Sequence, residues 1–162
     1  SSQPEAARII RVYLAAEDKN WGEMERELLA LKPAQEAAMQ DEVREATLQL
    51  ANVYLKDGKD LAKAKRLSET LVRDQPTRAG GHYGLARAQA ALGQQDEAIR
   101  TFERARTLTG ADDYPIDHRL GDAYLAKGDK AQAKAAWERY VAHKRAKPAN
   151  LDAVRKSLAQ LG

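Results

Sequence analysis

The side chains able to do chemistry in this chain are few, and they suit recognition better than catalysis. Arg87 and Arg119 could hold an acidic ligand, although guanidinium groups on helix surfaces are more often solvated or ion-paired. His82, His118 and His143 do not have the spacing of a metal site. Cysteine is absent, which removes disulfides, thiolate metal ligands and cysteine nucleophiles. No GxxxxGK[ST] phosphate loop, GxSxG elbow or HExxH helix occurs, and no carboxylate pair is set apart from ordinary helix-surface charge. A non-enzyme is expected, with no cofactor and no metal.

The elements that position these residues are helical. The 162 residues are 43% apolar, 31% charged and 6% aromatic, weighted toward alanine, leucine, lysine, arginine and glutamate, the strong helix formers. No stretch alternates β-branched or aromatic with polar residues, so no sheet is expected. The 27 basic and 24 acidic residues give a net charge of +3 and are mixed along the chain. Only His143, Lys144, Arg145 and Lys147 approach a basic cluster, so nucleic acid is not expected as a partner. No run of 18 apolar residues exists, and no membrane span is predicted. The opening Ser1-Ser2-Gln3-Pro4 has no initiator Met, so a signal, an anchor or an artificial boundary is expected upstream.

The chain repeats. Gly58, Gly93 and Gly128 lie 35 residues apart, and each follows a leucine (Leu50, Leu85, Leu120) by eight positions. Each glycine falls where a first helix must end in the left-handed region. After it, Asp60, Asp96 or Asp129 can accept from the free amides of a second helix. In those second helices Ala64, Ala98 and Ala133 allow close approach, and Ser68, Phe102 and Trp137, then Leu71, Ala105 and Tyr140, continue one stripe. Upstream, residues 4–16 read as a helix with Ala7, Ile10, Tyr13 and Leu14 on one side, followed by a helix at 21–31 bearing Met24, Leu28 and Leu31. Pro33 is expected in the first turn of a long helix over 34–56, with a break near Gln40-Asp41 as the alternative. Asn150 is expected to cap a last helix carrying Leu151, Val154, Leu158 and Leu161.

Over residues 43 to about 145 the pattern resembles the tetratricopeptide repeat family. Leu120-Gly121, Tyr124, Gly128, Ala133 and Trp137 carry most of the signature in one copy, and Leu85, Ala86, Gly93, Ala98, Phe102 and Ala105 in another. Gln89 and Ser68 depart from it. The resemblance implies an all-α, right-handed superhelical solenoid of antiparallel helix pairs in one domain. Its units are a degenerate pair at 4–33, repeats at 34–76, 77–110 and 113–147, and a capping helix at 150–161.

In such a stack the first helices line a concave groove. Leu48, Asn52 and Leu55, then Tyr83 and Arg87, then His118, Arg119 and Asp122 are the expected peptide-binding residues. This mixture of apolar anchors and polar groups suits a peptide or short helix. Some family members grip a chaperone's terminal carboxylates with a five-residue clamp. Here only Asn52 and Arg119 match it, while Leu48, Gly84 and Pro115 replace the other donors, so capture of that tail is not expected. The expected role is a scaffold for a partner protein, with bacterial envelope assembly or secretion as its setting and the cytoplasm as the alternative location. A self-assembling module that docks copies through its terminal helices is the second reading, and a basic RNA adaptor the third.

Overall fold

The structure, a computed structural model, describes residues 3–162. Its helices are α1 (Gln3–Glu17), α2 (Trp21–Ala30), α3 (Ala37–Asp57), α4 (Leu61–Asp74), α5 (Ala79–Ala91), α6 (Gln95–Arg106), α7 (Ile116–Lys127), α8 (Lys130–Ala142) and α9 (Pro148–Leu161). A short 3-10 turn at Ala111–Asp113 precedes α7. Among the described residues there is no strand. The pairs α1–α2, α3–α4, α5–α6 and α7–α8 pack as hairpins, and α4 on α5 and α6 on α7 join one hairpin to the next. The result is an all-α solenoid of helix pairs.

The repeat glycines act as expected. Gly58 and Gly128 are left-handed caps of α3 and α7, at φ 69° and 91°, and Gly93 adopts φ 79° just beyond α5. The residues of the second-helix stripe, Ala64, Ser68 and Leu71 on α4, Ala98, Phe102 and Ala105 on α6, and Ala133, Trp137 and Tyr140 on α8, are all buried. Side-chain volumes compensate across the α7–α8 pair. Trp137 lies where a Cβ on Gly121 would be, so this helix accepts its large indole only because it carries no side chain there. Gly80 and Gly81 lie in the first turn of α5. A Cβ on Gly81 would stand 2.9 Å from the backbone nitrogen of Val72, so this glycine lets α4 approach closely.

Several local expectations need correction. Of the three aspartates placed at second-helix starts, only Asp129 caps, accepting from the amide of Gln132 at 3.1 Å. Asp60 occupies the cap position of α4 without a capping hydrogen bond, and Asp96 lies inside the first turn of α6, where Lys127 pairs with it. Asn20 caps α2 instead, accepting from Glu23 at 3.2 Å. Pro33 stands outside α3, which starts at Ala37 and runs unbroken to Asp57. Asn150 lies within α9, whose first residue is Pro148. On α1 the buried side carries Ile9, Val12 and Ala15, while Ile10, Tyr13 and Leu14 are 60%, 43% and 54% exposed. The helix has apolar residues on two faces, and packing against Met24, Leu28 and Leu50 selects the other one.

The connections between hairpins are tied to each other. The amide of Ala79 donates to Thr109 O at 2.9 Å and that of Thr109 to Thr77 O at 3.3 Å, forming a bridge between Arg78 and Thr109. Nearby, Arg44 donates to Gln75 Oε1 at 2.9 Å, and the Gln75 amide donates to Gln40 O at 2.8 Å. Arg78 donates to Asp41 at 3.1 Å, so the first turns of α3 and α5 are stapled together.

Candidate functional site

The 35-residue register sets equivalent side chains of α3, α5 and α7 in rows. One row is Leu48, Tyr83 and His118, the next Asn52, Arg87 and Asp122, and the third Leu55, Ala90 and Leu125. The first row is largely closed. Leu48 is half-buried and reaches the place a Cβ of Gly84 would take, at 2.9 Å. Tyr83 is buried, stacked on Tyr114 with ring centroids 5.1 Å apart and tilted against Phe102 at 6.2 Å. His118 is also buried, with its ring 5.6 Å from that of Tyr140. Two residues expected to face a ligand therefore serve as packing. Each sits at the base of its helix, where neighbouring aromatic rings cover it.

The second and third rows open onto a cleft of about 340 Å³. Leu55, Arg87, Arg119 and Asp122 line it, and Asn52 reaches its edge through Arg87, whose Nη1 donates to Asn52 Oδ1 at 3.1 Å. Five of the eight expected residues thus come together. Ala90, Ala123 and Ala126 keep the walls low, and Phe102 supplies an apolar surface.

Charge in this cleft is unevenly matched. Arg87 lies over the Tyr83 ring, its guanidinium carbon 5.7 Å from the centroid. Burial depresses its pKa, the Tyr83 side chain opposes that fall and Arg119 adds to it. Asp122 has several suitors: Trp137 Nε1 donates to it at 3.3 Å, His118 Nε2 stands at 3.7 Å and Arg119 Nη1 at 3.6 Å. Burial pushes Asp122 above the ordinary carboxylate range and His118 below the ordinary imidazole value, each partly offset by the other's charge.

Gln95, at the start of α6, joins the cleft without having been anticipated. Its Nε2 donates to Ala90 O at 3.1 Å, and its buried Oε1 finds no protein donor. A glutamine in the first turn of a second helix gives no signal of this in the sequence. No group of three or more His, Asp or Glu side chains among the described residues is arranged to hold a metal ion.

The described residues thus form a solenoid of helix hairpins with a shallow cleft of polar and apolar groups along its first helices. The sequence profile of the tetratricopeptide repeat matches residues 82–108 and 118–143, the segments that form α5–α6 and α7–α8. Over these two hairpins the chain is similar to the tetratricopeptide repeat. It is 37% identical over 97 residues to the ancillary SecYEG translocon subunit of Escherichia coli (strain K12), a match covering 57% of this chain and 45% of that protein. The chain thus spans about half the length of that relative. Two crystal structures of MamA share the fold. One has a TM-score of 0.64 at 20% identity, covering 91% of this chain and 85% of the other. The second has a TM-score of 0.68 at 17% identity, covering 97% and 87%.

Proposed function

We propose that this protein is a non-catalytic scaffold that holds a segment of a partner protein in the cleft on α3, α5 and α7, in bacterial envelope assembly or secretion. The observation that carries the reading is the meeting of Asn52, Arg87, Arg119 and Asp122 beside the apolar Leu55 and Ala90 in one open cleft. Such a surface offers polar groups to a segment's backbone and apolar contacts to its side chains. The kinship with a translocon subunit supports an envelope setting. No helix among the described residues is long and apolar enough to cross a membrane.

A photo-crosslinking amino acid at Leu55, introduced in the source organism, tests this directly. A partner should be captured there and lost when Arg87 and Arg119 are both changed to Glu. Equal capture by both forms would remove the cleft as the site. A second reading, self-assembly through a terminal helix, draws on the exposed Ile10, Tyr13 and Leu14 of α1. Light scattering over a concentration range decides it, since a strict monomer excludes that reading.

A further inference from the structure

We infer that the cleft selects an acidic side chain, carried by an internal, apolar-flanked stretch of the bound segment and seated between Arg87 and Arg119. The inference rests on the cleft being the binding site, and it adds what that site recognises. The ground is a mismatch of charge. Arginine stays protonated in proteins, so Arg87 and Arg119 both present full positive charge. Among the described residues Arg87 has no carboxylate within ion-pairing distance, and its hydrogen bond goes to a neutral amide. In its row of the repeat the only carboxylate is Asp122, which is turned to Trp137, His118 and Arg119. Arg119 is itself incompletely used, because its buried Nε finds no acceptor in the protein. Of the two guanidinium groups only Arg119 has a carboxylate beside it, leaving the charge of Arg87 over in a partly desolvated cleft.

That remainder fits a monoanion. A carboxylate accepts from guanidinium groups with charge-assisted bonds, whereas a doubly charged phosphate would be repelled by Asp122 in the same wall. The surroundings indicate that the carboxylate is a side chain. Leu55 on α3 and Ala123 and Ala126 on α7 line the same cleft as Arg87 on α5, so apolar surface adjoins the charge on both neighbouring helices. A chain ending at the arginines would leave one of those surfaces uncovered. Gln95 Oε1 adds an acceptor for a backbone N–H of the passing segment.

The test is to pan a random twelve-residue phage-displayed peptide library on the intact chain, then measure the enriched peptides by fluorescence anisotropy. The expected peptides carry Asp or Glu between apolar residues, and replacing that acid by its amide weakens binding by roughly 10- to 100-fold, as loss of a hydrogen bond to a charged group does. Arg87→Gln, checked for an unchanged helical circular dichroism spectrum, should abolish the preference for acid over amide. Arg87→Lys should keep the preference at lower affinity, which covers the case of a Gln variant that misfolds. Enriched peptides without an acid, equal binding of acid and amide forms, or no enrichment at all would each overturn the inference. Leu55→Arg separates the two levels: acid-free peptides that it blocks leave the cleft as the binding site, and peptides indifferent to it sink both readings.

Discussion

At the α7–α8 hairpin two helices meet through a glycine set against a buried indole, whereas α2 is fastened to its neighbours by buried carboxylates. On α2, Glu25 accepts from Tyr54 Oη of α3 at 2.9 Å and pairs with Arg66 of α4, with Lys63 at 3.9 Å. Glu27 takes Arg8 at 3.0 Å and Arg11 at 3.2 Å from α1. Both hairpins have an apolar core, and α7–α8 also carries an ion pair between Asp117 and Arg139 at 3.1 Å, but the carboxylates buried on α2 give that end the larger share of charge. Shape-based contacts depend on volume and are indifferent to salt and pH, while charge-based contacts respond to both. The same repeat plan can therefore have ends that fail under different conditions.

The comparison can be broken most strongly at Trp137. Trp137→Ala should cost about 3–5 kcal/mol, as deletion of a fully buried aromatic does, and lower the midpoint of thermal unfolding sharply. A change within about 0.5 kcal/mol, the level of an ordinary surface site, would show that the indole is not what holds the hairpin. Gly121→Ala should cost about 1–3 kcal/mol by overpacking. Combining it with Trp137→Phe recreates the Ala86 and Phe102 combination of the preceding hairpin, which packs in a single cluster. The double variant should recover part of the loss, and strict additivity in urea denaturation would refute the volume account.

A smaller effect is expected at the charged end. Glu25→Gln should cost about 1–3 kcal/mol, because the buried carboxylate gives up its charge-assisted partners, the half-exposed Arg66 and Lys63. Its signature is location: amide hydrogen exchange should speed up in α1 and α2 and stay unchanged in α7 and α8. Uniform acceleration along the chain would mean that the two ends are not separate.

The smallest effect is one of pH. Burial alone would raise the Glu27 carboxyl, but hydrogen bonds and charge from Arg11 and Arg8 outweigh it and hold it below the ordinary 4.5. A carboxyl depressed in the folded state contributes stability above its unfolded pKa and loses it as pH falls through the folded value. Attachment of α1 to α2 should therefore loosen below about pH 4, followed by exchange or by Tyr13 fluorescence. Glu27→Gln should remove that part of the pH response, and an identical profile in the variant would exclude this carboxyl as its source.

The features most legible in the sequence were those imposed by backbone geometry. A glycine at each first-helix end is required where the chain turns left-handed, and Gly58, Gly93 and Gly128 could be placed from spacing alone. Residues 35 apart were bound to fall in rows, which brought Asn52, Arg87 and Asp122 to the same level of the stack. Less legible was anything decided by a distant neighbour. The buried face of α1 is not legible because Ile9, Val12 and Ala15 compete with Ile10, Tyr13 and Leu14, and only the position of α2 and α3 separates them. His118 and Tyr83 fall on the open side of their helices by register, and only the distant Tyr140 and Tyr114 cover them. Glu25 reads as an ordinary surface carboxylate until Tyr54 and Arg66 fold onto it.

The bridge between Arg78 and Thr109 distinguishes the two edges of the solenoid. The glycine turns at 58, 93 and 128 have open space around them, with no atom within 4 Å of where a Cβ would be. Passenger sequences, such as an epitope tag or a fluorescent reporter, should be grafted at those turns. The opposite edge, where Thr77, Ala79 and Thr109 exchange backbone hydrogen bonds, is unsuited to such cargo, because prying the connections apart would uncouple adjacent hairpins.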